Sequence, residues 1–267
     1  MDHQTLSDAL LPTVHSAGRA IMAHYGQSID IGLKPDSSPV TAADCDAEAI
    51  ILRDLAEIAP NVPVIAEEAV SAGNIPHTGS RFFLVDPLDG TKEFIQNRDE
   101  FTVNIALIEN STPTFGIIYA PATGEVYWAS APGIAIAGEL DCASEQFEIV
   151  KIRTIATRTP PADGLTVMTS RSHLNEATMA FLETKTVAAT TNAGSSLKFC
   201  HLASGQADLY PRLAPTMEWD TAAGHAILTA AGGTVVTTDG LPLIYGKREK
   251  GFLNPSFIAW GQRPDEL

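Results

Sequence analysis

The chain has 267 residues and a mass of 28.3 kDa, enough for one large domain or two modest ones with a full core. Apolar residues make up 45% and charged residues 18%, with Gly 20 and Pro 17, which excludes disordered, collagen-like and low-complexity chains. Lys and Arg number 17 against 32 Asp and Glu, a net charge of −15 that no basic run offsets, so polymeric nucleic acid is disfavoured as a partner.

Residues 1–20 lack a basic stretch leading into an apolar core and do not read as a secretory signal. Leu6, Leu10, Val14, Ile21 and Tyr25 recur at helical spacing and predict a first helix ending near Gly26, with Pro12 as a point for a kink. A second helix is predicted over 41–59, with Ile50, Ile51, Leu55 and Ile58 on one face and Pro60 beyond its end. The polar, proline-bounded stretch from Lys34 to Pro39 between them is a candidate lid. Short β-rich runs follow at 62–65, 82–85, 102–108, 114–119, 125–129 and 134–137, separated by turn residues, which predicts a mainly antiparallel sheet.

Past about residue 155 strand and helix patterns alternate: strand 166–169, helix 174–182, helix 196–203, strand 207–210, helix 221–231 and strand 234–237. That change sets an N-terminal half over 1–155, which carries most acidic candidates, and a C-terminal half over 156–267, which carries Asp220 and the candidate specificity segments. The uncharged stretch from Thr221 to Thr238 is broken by His225, Gly232 and Gly233 and is too polar for a membrane span. Cys45, Cys142 and Cys200 are odd in number and far apart, which argues against disulfides and a thiolate zinc site and fits a reducing cytoplasm.

The chemistry concentrates in the run from Leu84 to Phe94, where an apolar strand leads into Asp86-Pro87-Leu88-Asp89-Gly90-Thr91. Pro87 favours extended geometry at Asp86, and Gly90 permits a sharp turn. Asp86, Asp89 and the Leu88 carbonyl can therefore converge at a strand end, an oxygen-only set of the kind that suits Mg²⁺. Taken alone this segment also reads as a solvated turn. Glu67-Glu68 reads as a solvated pair, Asp44 as a partner of a helix dipole, and Asp220 as a helix N-cap. Their joint occurrence in this order carries the argument. An acidic protein with an anionic ligand also needs positive charge in its site, and a divalent cation provides it.

These segments resemble the lithium-sensitive, magnesium-dependent phosphatases of the inositol monophosphatase superfamily. The likeness runs from Ser38-Pro39-Val40-Thr41-Ala42-Ala43-Asp44 through Asp86 to Phe94 and Phe101 to Ile108. It continues through Ser170-Arg171-Ser172-His173, Gly194-Ser195-Ser196-Leu197-Lys198, Leu209-Tyr210-Pro211-Arg212, the Asp220 segment and Phe252-Leu253-Asn254-Pro255. The continuation Lys92-Glu93-Phe94 and the Ser-Arg-Ser-His and Gly-Ser-Ser-Leu-Lys segments point to the bacterial 3′(2′),5′-bisphosphate nucleotidase branch.

The resemblance implies an α+β fold, a layered α-β-α-β-α sandwich, with two or three Mg²⁺ per site. It implies that Glu67, Asp86 and the Leu88 carbonyl hold one cation, and that Asp86, Asp89 and Asp220 hold a second. Asp44 and Thr91 would activate the attacking water, and Glu67 would contact that water or a further metal. Leu88, Asp89, Gly90, Thr91 and Asp220 would meet the reacting phosphate. Ser170, Arg171, His173, Gly194, Ser195, Ser196 and Lys198 would bind the rest of the nucleotide, with Arg212 near the entrance.

The activity so implied is hydrolysis of the 3′-phosphate of adenosine 3′,5′-bisphosphate, with 3′-phosphoadenosine 5′-phosphosulfate as a further substrate, inhibition by Li⁺ and a role in sulfate assimilation. An inositol or other sugar phosphatase with the same metal site stays open, as does a catalytically weak metal and nucleotide sensor. The expected partner is a small nucleotide, without a transmembrane segment, in a cytoplasmic monomer or homodimer, with peripheral membrane attachment open. No P-loop, no dinucleotide-binding glycine motif and no G-x-S-x-G elbow occurs, so kinase, dehydrogenase and serine-hydrolase readings lose their support. His225 is expected to be a packed helix residue rather than a ligand.

Overall fold

The computed structural model describes residues 1–27, 31–34, 39–170 and 175–263. The chain opens with α1 (His3–His24), a pair of two-residue strands, β1 (Gly32–Leu33) and β2 (Pro39–Val40), and α2 (Ala42–Ile58). Asp2 caps α1 by accepting from Thr5 N. The helix runs on through Pro12, where a kink was expected, and its stripe of Leu6, Leu10, Val14 and Ile21 is buried. The packing of that stripe offsets the hydrogen bond that proline removes.

Then follow β3 (Val64–Ala66), α3 (Glu67–Ser71), β4 (Arg81–Asp89), α4 (Thr91–Ile95), β5 (Thr102–Glu109), β6 (Thr112–Ala120), β7 (Glu125–Ala131), β8 (Ile134–Leu140) and β9 (Ile149–Ile155). Strands β3 to β9 form one seven-stranded sheet in chain order, parallel at β3–β4 and antiparallel elsewhere. The sequence did not predict β9. It is an exposed edge strand interrupted by Lys151 at a left-handed φ of 53°, so its apolar alternation is weak.

The remaining elements are β10 (Leu165–Thr169), α5 (Glu176–Glu183), β11 (Val187–Asn192), α6 (Leu197–Ala203), β12 (Leu209–Arg212), α7 (Glu218–Ala230), β13 (Thr234–Thr237) and β14 (Phe257–Trp260). Their five strands form a mixed sheet in the order β11-β10-β12-β14-β13. Neither β11 nor β14 was predicted: β11 is an exposed edge of Ala and Thr, and β14 is too short to show a period. Helix α7 begins at Glu218 rather than Thr221. Met217 N donates to Asp220 Oδ2 at 2.8 Å, so Asp220 sits inside the first turn and caps the helix backward.

Period-two alternation gives the large sheet two apolar faces. Phe83, Val85, Val103, Ile105, Ile117 and Tyr119 pack with α1 and α2, whereas Phe82, Leu84, Ala106 and Ile118 pack with α6 and α7. The second sheet covers the far side of α6 and α7, and Phe181 and Leu182 of α5 pack on its outer face. The layers are thus α-β-α-β-α, as expected. Gly116 lets α7 lie flat on β6, since a Cβ there would come within 2.5 Å of the Ala223 carbonyl oxygen.

Candidate active site

Glu67, Asp86, Leu88, Asp89, Gly90, Thr91 and Asp220 line one cavity of about 450 Å³ at the end of β4. Three residues apart on a regular strand, Asp86 and Asp89 would face opposite ways. In register, Asp86 opposes Asn104 and Asp89 opposes Thr102, so β4 carries one extra residue and both carboxylates reach the same face. Gly90 then turns the chain at φ 94°, and a Cβ there would lie 3.1 Å from the Glu100 carbonyl oxygen.

Each acidic group is held by its own local device. Glu67 opens α3, whose N-terminus is fixed by Glu48 of α2, which accepts from Glu68 N and Ala69 N at 2.8 Å each. Lys34 Nζ lies 2.5 Å from Glu67 Oε1 and 2.6 Å from Glu68 Oε1. Burial works against the Lys34 charge, but the two carboxylates outweigh it and hold the ammonium above its usual range. Leu88 N donates to Asp86 Oδ1 at 3.0 Å, and Ser195 Oγ donates to Asp89 Oδ2 at 2.6 Å. Thr91 Oγ1 lies 3.1 Å from Asp44 Oδ1 and 3.2 Å from the Leu88 carbonyl oxygen. Asp44 Oδ2 accepts from Thr41 N and Thr41 Oγ1, and burial raises the Asp44 carboxyl.

Burial, then mutual repulsion, pushes Asp86 and Asp220 well above the usual carboxylate range. Burial also raises Glu67 and Asp89, and it lifts Glu68 to about 7. The Glu67 carboxylate repels that of Asp86, a repulsion that a proton or a bound cation would relieve. The donors are all oxygens, with no histidine or cysteine lining the cavity among the described residues, a set that fits Mg²⁺. Among the described residues, no three such side chains already close on one point, and Lys34, Ser195 and Met217 N take up oxygens meanwhile.

A second, smaller chamber of about 100 Å³ adjoins the first through Asp89, Gly90, Glu93, Arg212, Thr216 and Asp220. Lys198 of α6 lines it, with Nζ donating to the Ala193 and Ser195 carbonyls and lying 5.3 Å from the centre of the Tyr210 ring. Burial pulls the Lys198 ammonium down to about 8. Arg212 Nε is buried without a hydrogen-bond partner among the described residues. Ser170, Gly194, Ser195 and Ser196 also line this chamber. Ser195 is held at a left-handed φ of 51°, and its hydroxyl joins Thr102, while Ser196 joins Thr102 and Asn104. Roomier hollows lie elsewhere, around Arg19 and Cys142 and around Pro160 and Trp260, without a comparable acidic cluster.

Arg171 and His173 lie outside the described residues, as do residues 35–38 of the lid candidate. His225 is packed as expected, with Nδ1 3.1 Å from the Tyr245 hydroxyl and burial pushing it down to about 3. Sequence reading missed Lys34 and Glu48 as site residues. Glu48 left a signal, standing one helical turn after Asp44, whereas the pairing of Lys34 with Glu67 spans 33 residues and exists only in the fold.

The family model described as the inositol monophosphatase family matches residues 2–260. The chain is 43% identical over 252 residues to a 3′(2′),5′-bisphosphate nucleotidase CysQ of Shigella flexneri, covering 94% of this chain and 97% of the relative. It is 44% identical over 244 residues to the enzyme of the same name from Salmonella typhimurium, covering 91% and 94%. Among solved structures, CysQ from Bacteroides thetaiotaomicron superposes with a TM-score of 0.80 at 37% identity, covering 97% of this chain and 98% of that one. An inositol monophosphatase from Thermotoga maritima, at 23% identity and a TM-score of 0.72, shares the fold, covering 95% and 91%. With its five layers, its acidic strand end and these relatives, the chain belongs to the inositol monophosphatase family and is a phosphatase.

Proposed function

We propose that the chain is a Mg²⁺-dependent 3′(2′),5′-bisphosphate nucleotidase that removes the 3′-phosphate of adenosine 3′,5′-bisphosphate, giving AMP and phosphate, and also accepts 3′-phosphoadenosine 5′-phosphosulfate. The observation that carries this reading is the pair of joined chambers, which share Asp89, Glu93, Asp220 and Arg212, with Glu67 and Asp86 lining only the first and the Lys198 ammonium only the second. A single phosphate needs only the first. A bisphosphate uses both, because its second phosphate meets the ammonium and guanidinium.

Glu67, Asp86 and the Leu88 carbonyl would hold one Mg²⁺, and Asp86, Asp89 and Asp220 a second, with Glu67 also within reach of a third or of the attacking water. Bound there, the cations supply the positive charge that a phosphate dianion and an incoming oxygen require. Thr91 Oγ1 accepts a proton from the attacking water as it passes its own to Asp44 Oδ1, 3.1 Å away. The raised Asp44 carboxyl suits that acceptance. The water oxygen joins phosphorus, the bond from phosphorus to the 3′-oxygen breaks, and the departing oxygen takes up a proton. The backbone N–H groups of Gly90 and Thr91 face the phosphate oxygens, while Ser170, Ser195 and Ser196 shape the nucleotide side. The free cysteines and the family resemblance support a cytoplasmic setting.

Phosphate release from adenosine 3′,5′-bisphosphate and inositol 1-phosphate, measured side by side with Mg²⁺, with EDTA and with Li⁺, tests this. The expected result is a Mg²⁺-dependent, Li⁺-sensitive preference for the nucleotide of at least about 100-fold, or about 2.7 kcal/mol. Preference for the inositol ester would keep the acidic chamber and discard the role of the second, and release from neither would favour a sensor.

A further inference from the structure

Asp220 reaches the site from the first turn of α7, and that turn is tied down from outside the helix. Glu218, two residues earlier, is fully buried. Its carboxylate accepts from Gly246 N at 2.7 Å and Lys247 N at 2.8 Å, and it pairs with Lys247 Nζ at 2.7 Å. Lys247 Nζ also donates to Asn254 Oδ1 at 3.2 Å. Asn254 Nδ2 in turn donates to the Met217 carbonyl at 2.9 Å and lies 3.0 Å from Thr221 Oγ1. Met217 is the residue whose N–H fixes Asp220 Oδ2. The ring therefore runs from Glu218 through Lys247 and Asn254 to Met217 and ends on the Asp220 carboxylate.

The same segment also reaches the loop that follows α3. Arg248 donates to the Pro76 carbonyl at 2.6 Å and the Ile75 carbonyl at 3.1 Å, in the loop that joins α3, which carries Glu67, to β4. A segment distant in sequence thus ties the start of α7 to the loop after α3.

We propose that Lys247, through its buried pairing with Glu218 and its bond to Asn254, is a positioning residue that aims Asp220 at the cation it shares with Asp86 and Asp89; this rests on the reading of Asp220 as a metal ligand. The physical case is the cost of the arrangement. A buried ion pair gives little net stability, so its value here lies in fixing one geometry at the helix start. Removing the ammonium leaves the Glu218 carboxylate on its two backbone donors and takes the donor from Asn254 Oδ1, which loosens the amide that steadies Met217.

The test is titration with Mn²⁺, an oxygen-ligated stand-in for Mg²⁺, with the unbound ion followed by electron paramagnetic resonance. Asp220→Asn serves as the reference and is expected to remove one class of bound Mn²⁺. If it removes none, the metal reading of Asp220 fails, independently of the clamp. Lys247→Met is expected to weaken that same class about tenfold while the remaining class moves by less than about twofold. A purely structural role would lower the melting temperature and leave the affinities of the folded protein alone. Wild-type Mn²⁺ affinity in folded Lys247→Met therefore overturns the proposal. Should that variant not fold, the pair Glu218→Gln with Lys247→Met carries no unpaired buried charge and faces the same criterion.

Discussion

The two chambers of the cleft are built by different means. The acidic chamber is assembled from main-chain features: a bulge at the end of β4, a left-handed Gly90, and the first turns of α2, α3 and α7, each fixed by a capping carboxylate. The second chamber is set apart by one long side chain, Lys198, which leans on carbonyls and an aromatic ring, while Arg212 lines both chambers and keeps a buried Nε with no hydrogen-bond partner among the described residues. Chemistry shared across a family requires donors held by the backbone, whereas selectivity needs only a few side chains placed beside them. Changes in the first chamber should therefore reduce turnover on every substrate, and changes in the second should redistribute it.

The largest effect expected is at Asp89. Asp89→Asn removes a charge from the acidic cluster and should lower kcat/KM by about 10³-fold or more on nucleotide and sugar phosphates alike, roughly 4 kcal/mol of barrier. Loss on one substrate class alone would break the separation of the chambers. A smaller loss is expected at Thr91. Thr91→Val keeps the shape, deletes the hydroxyl that joins Asp44, and should cost about 10²-fold in kcat with KM nearly unchanged.

Lys198 sharpens the comparison through pH. Its ammonium, pulled down to about 8, must be charged to hold a second phosphate, so KM for the bisphosphate should rise as pH climbs through that value, by up to about tenfold per unit. Steady-state kinetics on adenosine 3′-monophosphate should show no such rise.

The smallest effect is on stability. Glu67, Asp86, Asp89 and Asp220 are raised in the folded chain, with Glu68 at about 7, so between about pH 4 and 7 the folded chain holds more protons than the unfolded one. Stability contributed by these groups is therefore lost as pH rises through that window. Neutral His225 works the other way between about 3 and 6.5, but it is a single group against these carboxyls, to which buried Asp44 and Glu48 add. Calorimetry in EDTA should show the melting temperature falling by about 3 to 8 °C from pH 5 to 8, and Mg²⁺ should flatten that slope. Equal slopes with and without Mg²⁺ would mean that the cation does not relieve the carboxylate cluster.

The same contrast explains what could be read from the sequence. Asp86, Leu88, Asp89, Gly90 and Thr91 lie in one short run that could converge at a strand end, and the family resemblance joined Asp44, Glu67 and Asp220 to it, whereas the bulge in β4 that turns both carboxylates to one face left no local signal. Helical period and turn residues likewise pointed to α1, α2 and the mainly antiparallel character of the large sheet. Strands β9 and β11 left no signal because edge strands bury too little to impose alternation. The start of α7 was misplaced by a turn because Met217 has no side-chain oxygen to mark a cap, and the capping comes from Asp220 inside the helix. Lys34 and Lys247 act through partners 33 and 29 residues away, contacts that local pattern does not encode.

The most direct test of the division between the chambers is kcat/KM for adenosine 3′,5′-bisphosphate and adenosine 3′-monophosphate, measured on the wild-type chain and on Lys198→Met. The variant should lose about 30-fold to 100-fold on the bisphosphate and stay within about threefold on the monophosphate. Equal losses on both substrates would show that Lys198 serves the acidic chamber or the fold, and would contradict the assignment of the second phosphate to its own chamber.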